Sequence, residues 1–128
     1  MTDRLVTSQT LESKIIQIQE CMNFSTKAAV IRLAIGLSLK TGGDPRIGLD
    51  KDVKDNLGGN YHKHTIFGDD EIIYYLMFKC GIQEDIKDDD VFPDLAKAHL
   101  IRGMEILFAQ YQLLGNSAKI TSWLLDQI

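Results

Sequence analysis

The sequence predicts a mainly α-helical protein that folds as a single domain. Apolar residues recur at helical spacing over most of the chain, and only one short run alternates as a strand would. A length of 128 residues suits one hydrophobic core. We divide the chain into residues 1–41, a loop-rich segment 42–68 and a helical portion 69–128.

The first stretch predicts a short strand followed by a helix. Arg4-Leu5-Val6-Thr7 alternates in polarity and is partly β-branched, which favours a strand. Thr7 or Ser8 can then cap a helix. That helix has one apolar stripe at steps of three and four residues, formed by Leu11, Ile15, Ile18 and Met22. Its other face is polar and includes Glu12.

A second helix, capped by Ser25 or Thr26, is predicted to run to about Leu39. Its apolar residues cover nearly all of its faces, so the helix must be buried on all sides. A domain of this size has few other elements that could enclose it, and the simplest solution is packing against another subunit. We therefore predict an oligomer interface, formed by Leu5, Ile31, Ile35, Gly36 and Leu39.

This order of a short strand, a helix, a tight turn and an apolar helix is that of a ribbon-helix-helix unit. Such units dimerise by pairing their strands into an antiparallel ribbon. The ribbon can enter a DNA groove, and the start of the second helix can bind a phosphate. The residues expected to face DNA are Arg4 on the strand and Ser25, Thr26 and Lys27 at the helix start. The alternative is that Ser25 and Thr26 only cap the helix, which requires no DNA.

The segment 42–68 contains turn-forming glycine pairs, so we expect it to be loop. His62 and His64 lie in it, but one His-x-His pair without a second cluster does not predict a metal site. We expect His64 to hydrogen-bond the backbone instead. Cys21 and Cys80 occur in apolar helical patterns, and we expect both to be reduced thiols in the core.

Residues 69–128 are predicted to be helical. Asp69 or Asp70 can cap a helix that ends at Gly81, and a final helix is expected from about Ala118 to Ile128.

A long helix is expected between these two. Gly103 lies in its interior, where glycine costs about 1 kcal/mol relative to alanine, and a close helix crossing would explain its presence. We interpret His99 and Arg102, one turn apart, as structural residues that hold the middle segment.

Composition and motifs narrow the function. The sequence has no phosphate-binding glycine loop, no nucleophile turn and no paired metal-binding cysteines, so we predict no catalytic activity, no metal and no cofactor. A net charge of −4 argues against indiscriminate coating of nucleic acid, because such binding depends on neutralising phosphates. A start without secretory features and the lack of a long apolar run predict a cytoplasmic protein that does not enter membranes.

Three segments carry a resemblance to a known family. They are Arg32-Leu33-Ala34-Ile35-Gly36-Leu37-Ser38-Leu39, His64-Thr65-Ile66-Phe67-Gly68-Asp69 and His99-Leu100-Ile101-Arg102-Gly103. In this order, and with the strand–helix start, they resemble the DndE family, the small protein of bacterial DNA sulphur-modification (phosphorothioation) systems. The resemblance spans nearly the whole chain.

The resemblance implies a homo-oligomer, with a tetramer expected, that binds duplex DNA and prefers nicked duplex. It also implies partner subunits, namely a cysteine desulphurase, an iron–sulphur protein and an ATPase, which together replace a non-bridging phosphate oxygen with sulphur. Family members expected to bind DNA well carry several lysines near the first helix. This sequence has only Lys14 there, against Glu12 and Glu20. Lys14 completes the predicted DNA-contacting set, and a role in docking partner proteins gains weight.

Three functions remain open at this point. The chain is an accessory subunit of the sulphur-modification machinery that contacts DNA, a ribbon-helix-helix transcriptional regulator or antitoxin, or a scaffold that recognises only proteins. The long helical portion argues against the regulator, which needs little beyond the first 41 residues.

Overall fold

The computed structural model describes residues 3–47, 55–82 and 85–127. These residues form a mainly helical domain with one core and a small two-stranded antiparallel sheet, which confirms the predicted fold class. Ile128, the predicted end of the final helix, lies outside the described residues. In chain order the elements are β1 (Arg4–Val6), α1 (Gln9–Met22), α2 (Lys27–Thr41), β2 (Asn60–His62), α3 (Lys63–Phe67), a 3-10 turn (Gly68–Asp70), α4 (Glu71–Cys80), α5 (Asp88–Asp90), a π-type turn (Val91–Leu95), α6 (Ala96–Leu114) and α7 (Ser117–Asp126).

β1 pairs with β2 of the same chain. The antiparallel register places Arg4 opposite His62 and Leu5 opposite Tyr61. The predicted order of strand, helix and helix is therefore correct. The predicted partner of the strand, a second copy of the chain, is not what the structure contains, because residues 60–62 of the expected loop form the partner strand.

Two glycines allow the chain before β2 to approach the connection between β1 and α1. The Gly58 N–H donates to the Thr7 carbonyl at 3.0 Å, and the Thr7 N–H donates to the Gly59 carbonyl at 2.9 Å. A Cβ added at Gly58 would lie 2.4 Å from the carbonyl oxygen of Ser8, so this approach requires glycine.

The starts of α1 and α2 lie where the sequence predicts. Ser8 Oγ accepts the Leu11 N–H at 3.1 Å, and Thr26 Oγ1 accepts the Ala29 N–H at 3.2 Å. Each hydroxyl satisfies one of the amide groups that a helix leaves unpaired at its beginning. α1 ends at Asn23, which adopts the left-handed conformation with φ of 56°.

α2 lies at the centre of the core. Its residues Ile31 and Ile35 have no exposed surface. α6 covers it most extensively, and α1 and α3 cover further parts. The two helices cross closely at Gly103, where an added Cβ would lie 1.7 Å from the carbonyl oxygen of Ala34. The close crossing predicted for Gly103 is confirmed.

The predicted oligomer interface is wrong for three of its five residues. Leu5, Ile31 and Ile35 are fully buried within one chain and have no surface to offer a second copy. Gly36 is exposed and Leu39 is half-buried. Most of α2 is buried, as its apolar residues predict. The cover is mainly α6 of the same chain and not another subunit, and the close crossing that allows it depends on Gly103, a residue distant in the sequence.

α4 buries one side and exposes the other. Phe78 is fully buried. The opposite face is apolar and yet exposed, and it carries Ile72, Ile73, Leu76 and Met77. Cys80 at the end of α4 is exposed, Cys21 is half-buried, and both are free thiols. The prediction that both cysteines lie in the core is therefore wrong.

Within the described ranges, none of the helices combines the length and the apolar character that crossing a bilayer demands.

Candidate functional site

A cleft of about 430 Å³ lies at the beginning of α2. We call it the amino-terminal cleft. The pairing of β1 with β2 brings the segment around Tyr61 against the start of α2, and α3 closes a further side. The residues that line it are Thr26, Lys27, Ala28, Arg32, Gly59, Asn60, Tyr61 and Thr65.

The start of α2 gives this cleft a positive character. The first turn of α2 contains no acidic residue, and Thr26 caps it. The unpaired amide groups and the dipole of a helix both favour an anion at this end. Lys27, partly exposed, and Arg32, also partly exposed, add two formal positive charges to the cleft walls.

A buried carboxylate lies directly behind the cleft. Glu12 is 8% exposed and accepts hydrogen bonds from the Tyr61 hydroxyl at 2.7 and 2.8 Å, the Thr7 hydroxyl at 2.9 Å and the Lys27 ammonium at 2.9 Å. Glu12 thus joins α1 to β2, to the β1–α1 connection and to α2. By its spacing Glu12 was expected on the polar face of α1, and the structure instead buries it.

The network around Glu12 holds it in the charged form. Burial opposes ionisation, but the hydrogen bonds from Tyr61, Lys27 and Thr7 outweigh burial and keep the pKa of Glu12 below its ordinary value. Burial and the adjacent carboxylate raise the pKa of Tyr61, so its phenol remains a donor. The Lys27 ammonium, at the wall of the cleft, is therefore paired with an ionised carboxylate at 2.9 Å.

Arg32 reaches from α2 to α3. Its guanidinium donates to the Ile66 carbonyl at 3.0 Å, which holds α3 against the cleft. Arg32 also lines the cleft, and its guanidinium has further N–H donors beyond the one in this bond.

The structure brings together only part of the predicted DNA-contacting set. Thr26 and Lys27 line the cleft, and Ser25 is exposed and immediately precedes them. Arg4 is exposed on β1 but does not line the cleft. The Lys14 ammonium lies over the ring of Phe108, 5.3 Å from its centroid, so this side chain packs against α6.

Four polar or aromatic residues of the cleft were not predicted from the sequence: Arg32, Asn60, Tyr61 and Thr65. No local pattern marks the last three, because they reach α2 only through the pairing of two distant strands. The histidine that bonds the backbone in this segment is His62, whose Nδ1 accepts the His64 N–H at 3.1 Å, and not His64 as expected.

A second polar cluster holds the other end of α2. Arg102 donates to the carbonyl of Ser38 at 2.6 Å, to the hydroxyl of Ser38 at 2.8 Å and to the carbonyl of Gly42 at 2.8 Å. His99 Nδ1 lies 2.9 Å from the Ser38 hydroxyl. Arg102 therefore binds the beginning of the middle segment as predicted, while His99 binds α2.

Burial, reinforced by the nearby charge of Arg102, lowers the pKa of His99 to about 4, so the ring is neutral at pH 7. Ser38 has no accessible surface, and the serine–histidine pair lies inside the core. In the part of the chain that the structure describes, no three His, Cys, Asp or Glu side chains are grouped as a metal site requires.

Comparison with known proteins gives one family. The family model described as DNA sulphur modification protein DndE matches residues 4–115, which run from the start of β1 to just beyond the end of α6. Among curated proteins, none matches the chain.

Proposed function

Because the chain belongs to the DndE family of DNA sulphur modification proteins, we propose that it is a DNA-binding accessory subunit of a bacterial DNA phosphorothioate modification system. The family assigns the chain to DNA sulphur modification. The proposal adds direct contact with duplex DNA, a preference for nicked duplex and function as a homo-oligomer, with a tetramer expected. The observation that supports DNA contact is the amino-terminal cleft, where the start of α2, Lys27 and Arg32 converge.

These groups suit a phosphate of the DNA backbone. The amide groups at the start of α2 and the Thr26 hydroxyl provide short-range donors, while Lys27 and Arg32 provide charge. Such contacts position a protein on DNA but do not read its sequence. We therefore expect binding with little sequence preference.

A nick offers what an intact duplex does not. A terminal phosphate carries more negative charge than a phosphodiester, and the strand end can leave the line of the duplex to enter a cleft. Asn60 and Thr65, both exposed on the walls, are placed to donate hydrogen bonds to such a group.

The charge balance limits the affinity. The net charge is −4, and the cleft's Lys27 is paired with Glu12 at 2.9 Å. We expect weak binding with a shallow salt dependence between about 50 and 200 mM, because few phosphates are neutralised.

The test compares nicked, intact and single-stranded DNA by fluorescence anisotropy across that salt series. Lys27→Met should weaken binding and reduce the slope of log affinity against log salt by about one. Lys119→Met makes the same charge change on α7, outside the cleft, and should leave the slope unchanged. Equal affinities of both variants and the wild type for nicked duplex would refute the proposed cleft, and equal affinity for nicked and intact duplex would refute the nick preference.

The oligomer is proposed to use a groove of about 370 Å³ beside Gly36. α2 and α7 form it, with Leu33, Leu37, Leu124 and Leu125 among its lining residues. Apart from the neighbouring backbone of α2 itself, no atom lies within 4 Å of a Cβ added at Gly36, so the groove floor is open. Gly36→Lys should reduce the mass measured by sedimentation, and an unchanged mass would remove this groove from the interface.

A scaffold that binds only proteins is the second candidate, and the exposed apolar face of α4 favours it. It predicts co-purification with the other subunits and no DNA binding at low salt. The regulator alternative is not favoured, because it needs β1 to pair with a second copy and β1 pairs with β2 of its own chain.

A further inference from the structure

A buried negative charge lies directly behind the amino-terminal cleft, and the proposed phosphate contact makes no use of it. The Glu12 carboxylate is 8% exposed and accepts from the Tyr61 hydroxyl, the Thr7 hydroxyl and the Lys27 ammonium. Two of these donors, Tyr61 and Lys27, also line the cleft. A carboxylate in this position repels an anion, so its presence beside a site suited to phosphate requires an explanation.

The place of Glu12 in the fold supplies the explanation. From α1, its carboxylate binds Thr7 in the β1–α1 connection, Tyr61 on β2 and Lys27 on α2. Among the described residues, no buried side-chain nitrogen or oxygen lacks a hydrogen-bond partner. Removing the carboxylate would take the acceptor away from the buried Tyr61 hydroxyl, which destabilises the folded chain. The charge behind the cleft is therefore a requirement of the fold.

Lys27 is the group through which this charge acts on the cleft. Its ammonium lies 2.9 Å from Glu12 Oε2, and 43% of its side chain is exposed. An ammonium has three donors, so two remain for a ligand in the cleft. Because Glu12 offsets part of its charge, Lys27 attracts a phosphate less strongly than an unpaired lysine would. Arg32 differs, because the acceptor that it binds is the neutral carbonyl of Ile66.

We propose that Glu12 limits the affinity of the amino-terminal cleft for DNA phosphates by pairing with Lys27, so that one carboxylate both stabilises the fold and weakens binding. The inference rests on the DNA contact proposed above and adds the group that sets its strength. Stability and affinity are then opposed at a single residue, as is common where a functional site shares groups with the core.

The competing role for Glu12 is to position Lys27 for binding. The two roles predict opposite signs when the carboxylate is neutralised, since a limiting residue then gives tighter binding and a positioning residue gives weaker binding. The limiting role is favoured because the amide groups at the start of α2 are fixed by the helix and do not depend on Glu12 to face the cleft.

The test is Glu12→Gln, which removes the charge but keeps an oxygen that can accept from Tyr61. By fluorescence anisotropy, nicked duplex should bind about three- to tenfold more tightly at about 50 mM salt. The slope of log affinity against log salt should become steeper, because Lys27 then contributes more charge. Altered packing alone does not steepen that slope. Glu105→Gln, the matched control, makes the same charge change at an exposed residue of α6 outside the cleft and should alter neither quantity.

The part played by Lys27 is tested by making the same change in the Lys27→Met variant. Glu12→Gln should then give a clearly smaller gain in affinity, because no ammonium remains to be released. An equal gain with and without Lys27 would overturn the proposed pairing.

Asn60 provides a test that does not depend on the stability of the Glu12 variant. Circular dichroism first establishes whether Glu12→Gln is folded under the binding conditions. Asn60→Asp adds a carboxylate at an exposed position on the cleft wall and replaces no member of the Glu12 network. Compared with Asn60→Ala, which equally lacks the amide, it should bind nicked duplex about three- to tenfold more weakly. Equal affinity of these two variants would show that a carboxylate at the cleft does not limit binding, which overturns the proposal.

The outcomes separate this inference from the proposed DNA contact. Unchanged or weaker binding by folded Glu12→Gln would overturn the limiting role, while the DNA contact stands if the wild type binds and Lys27→Met weakens binding. Binding by Glu12→Gln but not by the wild type would support the limiting role and overturn the DNA contact for the natural chain. Absence of binding by both would overturn both.

Discussion

Replacing Gly103 with alanine tests the helix crossing on which the whole core depends. An added Cβ would lie 1.7 Å from the carbonyl oxygen of Ala34 and 2.4 Å from its carbonyl carbon. Ordinary contact at this position needs about 3.4 Å, so α2 and α6 must separate by more than 1 Å. A gap of about 0.5–1 Å already forfeits roughly a quarter to a half of the dispersion energy of the atoms along it, so a wider gap forfeits more.

The magnitude follows from two opposing effects. Overpacking a core costs about 1–3 kcal/mol and occasionally more, and a clash between two backbones belongs at the upper end, about 3–4 kcal/mol. Alanine regains about 1 kcal/mol of helix propensity. We expect a net loss of about 2–3 kcal/mol in the free energy of unfolding, which lowers Tm by about 8–12 °C for a chain of this length.

Gly36→Ala is the matched control. Gly36 is also inside a helix of the same pair, but it is exposed and an added Cβ meets nothing within 4 Å. The propensity gain is then unopposed, and Tm should rise by about 3–4 °C. Thermal unfolding of both variants is followed by circular dichroism. The reasoning is refuted if Gly103→Ala melts at or above the wild-type temperature.

Three further predictions concern the two polar clusters. The pKa of His99 is about 4 against an ordinary 6.5, so the unfolded chain takes up a proton before the folded chain does as the pH falls. The free energy of unfolding, measured in urea, should therefore drop by about 2 kcal/mol between pH 7.5 and 5. A stability that does not change over this pH range would contradict the prediction. Glu12 contributes at lower pH: because its pKa is depressed, it gives stability that is present above pH 4.5 and is lost on further acidification. Glu12→Gln should flatten that acid-dependent loss and lower the free energy of unfolding at pH 7 by about 1–3 kcal/mol. The exposed control Glu20→Gln should do neither. Arg102→Lys keeps the charge but not the three donor directions, and should lower the free energy of unfolding by about 1–3 kcal/mol in the same urea experiment; no loss would mean that the bonds to Ser38 and Gly42 are dispensable.

The features that the sequence predicted correctly depend on residues close together in the chain. Ser8 and Thr26 each cap a helix that starts at the next residue, so the pattern is complete within four positions. Gly103 is also informative by itself. Glycine lowers the stability of a helix interior relative to alanine, so its presence there indicates that another element packs closely against it. What approaches it, Ala34, was not predictable from either residue alone.

The features that were missed depend on partners distant in sequence. The residues next to Tyr61 in the sequence do not indicate that its hydroxyl is a buried donor. The spacing of Glu12 places it on the polar face of α1. Only the pairing of Leu5 with Tyr61 in the sheet brings the phenol to the carboxylate. The same pairing gives β1 a partner within the chain, which is why the expected ribbon between two copies and the buried part of the oligomer interface were both wrong.

The two ends of α2 differ in how their unpaired groups are satisfied. At its carboxyl end Arg102 donates to the carbonyls of Ser38 and Gly42 and places a positive charge at the negative end of the dipole. At its amino end the first turn contains no acid, and the Lys27 charge is only partly offset by Glu12. Because a helix fixed at one end cannot shift along its axis, its amino end is held in place before any anion arrives. Preorganisation of this kind would lower the cost of binding at the phosphate site that we propose for the cleft.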